Sequence, residues 1–217
     1  DILEEIINLT FKGISEITLL GQNVNAYRGV MRNGEIADFA TLIEYVSEIS
    51  EVKRIRFSTS HPNEMNDALI DCYKNIDKLA KMLHLPIQAG SDKVLSAMKR
   101  NYTTLEYKSI IKKLRKKCPD ISITSDFIVG FPTETESDFN STKLFMQELK
   151  FDYSYSFIYS ARPGTPASYL EDLTSYEEKL KRLHELQTLN VCQGEIFTKK
   201  MLGTTQRVLI DSASKRK

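Results

Sequence analysis

Short β-type runs alternate with amphipathic helices along this chain, and each run divides into one bulky face and one polar face. The runs are EITLL (16–20), RIRFSTS (54–60), KMLHLPIQ (81–88), ISITSDFIV (121–129) and FDYSYSFIYS (151–160). Between them the apolar spacing predicts helices ending at Gly13, near 37–50 and 64–75, as a pair across 92–117, and near 135–149 and 175–200. Strand–helix alternation of this kind is the mark of a parallel β/α sheet or barrel.

The strand faces narrow the choice, because successive side chains point to opposite sides. Ile17 and Leu19 oppose Glu16 and Thr18; Ile55 and Phe57 oppose Arg54, Arg56, Ser58 and Ser60. Leu83, Leu85 and Ile87 oppose Met82, His84 and Gln88; Ile121 and Ile123 oppose Ser122, Thr124 and Asp126. In the fifth run Tyr153, Tyr155 and Phe157 are expected beneath the helices, with Asp152, Ser154, Ser156 and Ser160 on the polar face. A parallel sheet covered on both sides reads apolar on both faces, and a solidly packed barrel is filled with branched aliphatics. Buried polar groups cost free energy unless paired or wet. The economical reading is a curved sheet or open barrel whose concave side is a polar cavity. Its ligand loops lie at the strands' carboxyl ends: GQNVNAY (21–27), STSHPNE (58–64), IQAGSDKV (87–94), VGFPTET (129–135) and SARPGTPA (160–167).

Several classes are excluded. Cys72, Cys118 and Cys192 are an odd number and far apart, so they make neither a disulfide framework nor a complete zinc or iron–sulfur site. Each reads as a small apolar residue in a reducing cytosol. No apolar run approaches a bilayer span, and a net charge of +1 announces no polyanionic partner. Between Lys99 and Lys117 the only acid is Glu106; such a run is either a solvated face or a phosphate contact.

The loops carry a resemblance. LLGQNVNAY, RIRFSTSHP, LHLPIQAGSDKVLSAMKRNYT, SDFIVGFPTET and FIYSARPGTPA, in this order over nearly the whole chain, resemble the radical S-adenosylmethionine methylthiotransferases of the tRNA-modifying MiaB type. The resemblance implies methylthiolation of carbon 2 of an N6-isopentenyladenosine beside the tRNA anticodon. It implies S-adenosylmethionine, cleaved to a 5′-deoxyadenosyl radical by one [4Fe–4S] cluster, and a second cluster that supports sulfur insertion. The implied fold is α/β, a partial β/α barrel followed by a small all-β TRAM domain. Residues 1–200 are then the barrel, lacking its first strand and the C-x-x-x-C-x-x-C cluster loop, and residues 201–217 begin the TRAM domain. Cluster thiolates are expected upstream of this chain, so it holds no metal and is inactive alone. The tRNA anticodon stem-loop is the implied partner, for a monomer acting in the cytoplasm away from membranes. A sibling enzyme acting on a ribosomal-protein aspartate, a non-radical barrel lyase and a non-catalytic RNA-binding module are the other readings.

Roles follow residue by residue. Gly21, Gln22 and Asn23 stand where related enzymes meet the methionyl amino group. Ser58 and Ser60 project from a polar face toward a carboxylate or ribose. Gln88, Gly90 and Ser91 resemble the ribose-contacting loop. Arg100 is suited to the methionyl carboxylate, which a guanidinium grips through two hydrogen bonds, and otherwise is an exposed helix-end cation. Asp126 is placed to orient ligand hydroxyls, Gly130 and Phe131 to hold the adenine, and Ser160 and Arg162 to face the flipped-out substrate base. His61 reads as turn architecture, and His84 as a hydrogen-bonded cavity residue. Tyr155 and Tyr159 are core or base-stacking residues.

Overall fold

The computed structural model describes residues 1–217 other than Arg32, Thr59, Arg207, Leu209, Asp211 and 215–217. In chain order the elements are α1 (Ile2–Thr10), β1 (Glu16–Leu19), β2 (Arg28–Val30), β3 (Ile36–Asp38), α2 (Phe39–Glu48), β4 (Arg54–Phe57) and α3 (Asp67–Asn75). There follow β5 (Met82–His84), α4 (Asp92–Ala97), α5 (Thr104–Lys117), β6 (Ser122–Val129), α6 (Glu136–Leu149), β7 (Tyr153–Ile158) and α7 (Tyr176–Met201).

Parallel ladders join β1 to β4, β5 to β6 and β6 to β7. The two groups are stitched by a parallel bridge between Ile55 and Leu79, where the Ile55 N–H donates to Lys78 O at 2.8 Å and the Ala80 N–H to Ile55 O at 2.9 Å. The result is one run of strands in the order β1-β4-β5-β6-β7, wound as a β/α barrel is wound. Burial alternates residue by residue along β6. Ile17, Ile55, Leu83, Ile123 and Phe127 point into a single core shared with the helices, while Arg56, His84, Thr124 and Asp126 on the other face keep partial access to solvent. Helices start where their caps say. Thr103 with Glu106 and Thr135 with Asp138 form reciprocal capping boxes at α5 and α6.

Strand β7 corrects the sequence reading. Tyr153, Tyr155 and Phe157 are about half exposed, whereas Ser154 is buried. The register sets this: Tyr155 pairs with Asp126 and Phe157 with Ile128, and partners in a parallel ladder share a face. The opposite face meets α7, where Asn190 Oδ1 accepts from the Ser154 N–H at 2.7 Å and from its hydroxyl at 3.1 Å. A small hydrogen-bonded pair lets the helix close on the strand, and the rings are left on the concave side.

The antiparallel hairpin β2–β3 is a further element, inserted between β1 and α2 and turned at Gly34, whose φ is +85°. The strand expected after Gly203 falls partly on Arg207, Leu209, Asp211 and 215–217, outside the described residues; the described ones from Thr204 to Ser214 form none. From Lys108 to Lys117 the basic run lies on α5, while Lys99 and Arg100 precede it. Lys113 pairs with Asp67 at 2.7 Å, Lys117 with Asp71 at 2.7 Å and Lys108 with Glu148 at 2.6 Å.

One glycine is fixed by contact. A Cβ on Gly90 would lie 2.6 Å from the Cα of Thr142 in α6, so the loop after β5 seats directly on helix backbone. Gly90→Ala should therefore lower unfolding stability by about 1–3 kcal/mol, measured by urea denaturation.

Candidate functional site

A cleft of about 760 Å³ opens at the carboxyl ends of β5, β6 and β7. Its polar lining comes from Gln88, Arg100, Asp126, Ser160 and Arg162, and Ile128, Phe131 and Phe157 form apolar walls. A larger hollow, about 1000 Å³, lies between α6 and α7. It is on the outer side of the sheet and shares no residue with the cleft.

Gln88, four residues beyond β5, lies in the left-handed region, with φ +80°, a conformation costly for a non-glycine residue. Neighbouring backbone holds it there: the Gln88 N–H donates to Asp126 O at 2.9 Å, and the Ile128 N–H to Gln88 O at 2.8 Å. Asp126 is the floor. One carboxylate oxygen, Oδ2, is 3.5 Å from His84 Nε2, and His84 Nδ1 is 3.0 Å from Thr124 Oγ1. The other, Oδ1, is buried without a protein partner, as is the Tyr159 hydroxyl. Buried polar atoms are nearly always satisfied, so these two are donor and acceptor positions available to a ligand. Phe131 meets Tyr159 edge-on, with ring centroids 5.0 Å apart.

The remaining candidates are placed elsewhere. Gly130 takes φ +70° in the turn behind Phe131. Gly90 and Ser91 are engaged by α6: the Gly90 N–H donates to Thr142 Oγ1 at 3.0 Å and the Ser91 hydroxyl to Asp138 Oδ1 at 2.7 Å. Gly21 and Asn23 border a separate hollow of about 400 Å³ against α1 and α2, and Gln22 is exposed. Ser58 is half-buried. Ser60 is buried, its hydroxyl unpartnered.

These outer loops are tied to the cleft by residues that sequence reasoning missed. Asn25, buried, donates through Nδ2 to His61 O at 2.9 Å and accepts the His61 N–H at 2.9 Å. Asn63 Nδ2 donates to Asn101 O at 3.0 Å, beside Arg100. Burial, then the Arg100 charge, push the His61 imidazole below its ordinary value despite Glu64, so it is neutral at pH 7. Asn25 had one signal, its place in the loop GQNVNAY; the partner across the fold had none.

The residues present fit a nucleoside that also carries a carboxylate: an unpartnered acceptor for hydroxyls on Asp126, a guanidinium on Arg100 and an aromatic wall at Phe131. They do not fit an iron–sulfur cluster. Burial pushes the Cys72 thiol up to about 12 and raises Cys118 as well, and Cys192 is exposed on α7. Among the described residues no group of three or more His, Cys, Asp or Glu is placed to hold a metal ion.

Residues 1–146 match the Radical SAM superfamily. The chain belongs to that superfamily. It is 62% identical over 217 residues to a tRNA-2-methylthio-N(6)-dimethylallyladenosine synthase of Methylobacillus flagellatus, covering 100% of this chain and 49% of that relative. It is 56% identical over 216 residues to the protein of that name in Chromobacterium violaceum, again 100% of this chain and 49% of the other. The chain thus spans about half the length of the curated relatives it matches. Among solved structures, the radical SAM enzyme coproporphyrinogen III oxidase (HemN) of Escherichia coli superposes with a TM-score of 0.54 at 20% identity, over 71% of this chain and 37% of that one. That likeness speaks for the fold, a radical SAM β/α arrangement.

Asp138 links two loops of this site and should report on them through pH. Burial would raise its carboxyl, but the Thr135 and Ser91 hydroxyls, the Thr135 N–H and Lys93 hold it down at about 2. A depressed carboxylate contributes stability above its unfolded value of 3.8 and loses it as pH falls toward the folded value. Asp138→Asn should therefore lower stability at neutral pH by on the order of 2 kcal/mol, and the gap to the native protein should narrow between about pH 4 and about 2, as acid titration followed by circular dichroism would show.

Proposed function

We propose that this chain is the S-adenosylmethionine-binding barrel of a tRNA methylthiotransferase, which methylthiolates carbon 2 of N6-isopentenyladenosine next to the anticodon. The observation that carries the proposal is identity above half along all of the chain, with relatives whose name states this product. Residues 1–200 form the barrel in this reading and 201–217 begin a TRAM domain. The enzyme is a monomer of the cytoplasm that binds the anticodon stem-loop. Among the described residues no helix is long and apolar enough to cross a membrane.

When bound, S-adenosylmethionine supplies the methyl group and the radical chemistry, together with two [4Fe–4S] clusters whose thiolates are other than Cys72, Cys118 and Cys192. The chain's own residues bind and orient. Arg100 grips the methionyl carboxylate through a charge-assisted pair. The free carboxylate oxygen of Asp126 accepts from ribose hydroxyls, with Gln88 beside it, and the Phe131 ring packs on the adenine. Ser160 and Arg162 at the mouth face the substrate base. Phe157, turned to the concave side, adds an aromatic surface there. The alternative substrate, a ribosomal-protein aspartate, has no counterpart in the relatives' names, and those names state a synthase rather than a plain RNA-binding module.

The test is nucleoside mass spectrometry of tRNA from cells lacking the gene. Isopentenyladenosine should accumulate without its methylthio group, and expression of the whole protein should restore it. Unchanged tRNA would contradict the proposal.

A further inference from the structure

Behind the cleft's Phe131 wall lies a buried charged cluster that the binding roles above do not use. The Glu134 side chain is fully buried and that of Arg182 is 6% exposed. Glu134 Oε2 accepts the Gly130 N–H at 2.7 Å and an Arg182 Nη1–H at 2.8 Å. Arg182 Nη1 also donates to Glu134 O at 3.3 Å, and its guanidinium sits over the Phe139 ring, 5.4 Å from the centroid. One helical turn away, Lys179 lies against Gly130, where an added Cβ would come within 2.4 Å of its side chain. The Lys179 ammonium pairs with Asp172, downstream of the cleft-mouth loop that carries Arg162.

A buried ion pair rarely exceeds the stability that well-packed apolar side chains of similar volume would give. What apolar residues cannot supply is an acceptor aimed at the Gly130 N–H while the turn holds its left-handed φ. We propose that Arg182, acting through Glu134, is a positioning residue: helix α7 sets the turn that places Phe131 in the cleft and so sets affinity for S-adenosylmethionine. Lys179, filling the space that a side chain on Gly130 would need, fastens the mouth segment to the same helix. The inference rests on the reading that the cleft holds S-adenosylmethionine, and deepens it with residues 48 positions apart in sequence.

The test uses the whole protein with Glu134→Leu and Arg182→Leu together. Melting temperature, amide hydrogen exchange of 128–134 without ligand, and the S-adenosylmethionine dissociation constant by equilibrium dialysis are all measured. The expected result is an unchanged or higher melting temperature, faster exchange at the Gly130 amide, and a dissociation constant raised at least tenfold. Should that variant fail to fold, Glu134→Gln with Arg182→Leu keeps the acceptor but frees it from α7, and should raise the constant at least threefold. Native affinity in either folded variant overturns the proposal, as does native exchange at Gly130 in the variant with both leucines. If neither folds, the cluster is structural only and the proposal fails. If the native protein binds no S-adenosylmethionine, the reading of the cleft fails, and the exchange at Gly130 still decides whether the lock exists.

Discussion

Strand β6 is hydrogen-bonded along both edges, to β5 and to β7, and every feature of the cleft hangs from its alternation. One face, with Ile123, Phe127 and Val129, is fully buried among helix residues; removing that much apolar surface from water is the main stabilising term available to the sheet. The other face presents Thr124, Asp126 and Ile128, none of them fully buried. Because β/α connections put the helices on one side, this second face can stay polar without leaving charges stranded in a dry interior. The site follows from helices packing on one side of the sheet only.

That constraint is also why much of the fold was readable from the chain. In ISITSDFIV the alternation of Ile121, Ile123, Phe127 and Val129 with Ser122, Thr124 and Asp126 identifies the buried face without any partner being known, with Ser125 and Ile128 as its two exceptions. In FDYSYSFIYS the same rule misleads, since bulk on a strand does not by itself mean burial. Tyr153, Tyr155 and Phe157 are large but amphipathic or tolerant of partial exposure, and the opposing serines are small enough to sit under α7 beside Asn190. Only the pairing register, Tyr155 with Asp126, decides the side, and register belongs to two strands at once. The β2–β3 hairpin had a local signal, the Asn33–Gly34 pair at its turn, but its strands of three residues are too short to show a period.

The site divides in the same way. Gln88, Arg100, Asp126, Phe131, Ser160 and Arg162 meet in one cleft, Arg100 foreseeable as a cation after a short helix and the others as polar or aromatic residues near a strand's carboxyl end. What was not legible is the support. Asn25 clamps the main chain of His61, and Ser91 is taken up by Asp138. Glu134 meets Arg182. These partners lie tens of residues apart, and a side chain's sequence neighbourhood says nothing about which distant backbone group it will satisfy. Phe157 was hidden by the misassigned face of β7, and Ile128 by its place on the otherwise polar face of β6.

The central claim is that S-adenosylmethionine occupies the concave cleft between the ends of β5, β6 and β7. Hydrogen–deuterium exchange of the whole protein, with and without S-adenosylmethionine, tests it most directly. The account predicts slowed exchange in 97–100, 126–131 and 157–167, the segments that line the cleft. Protection confined to the outer groove between α6 and α7, or none in those three segments, would contradict it.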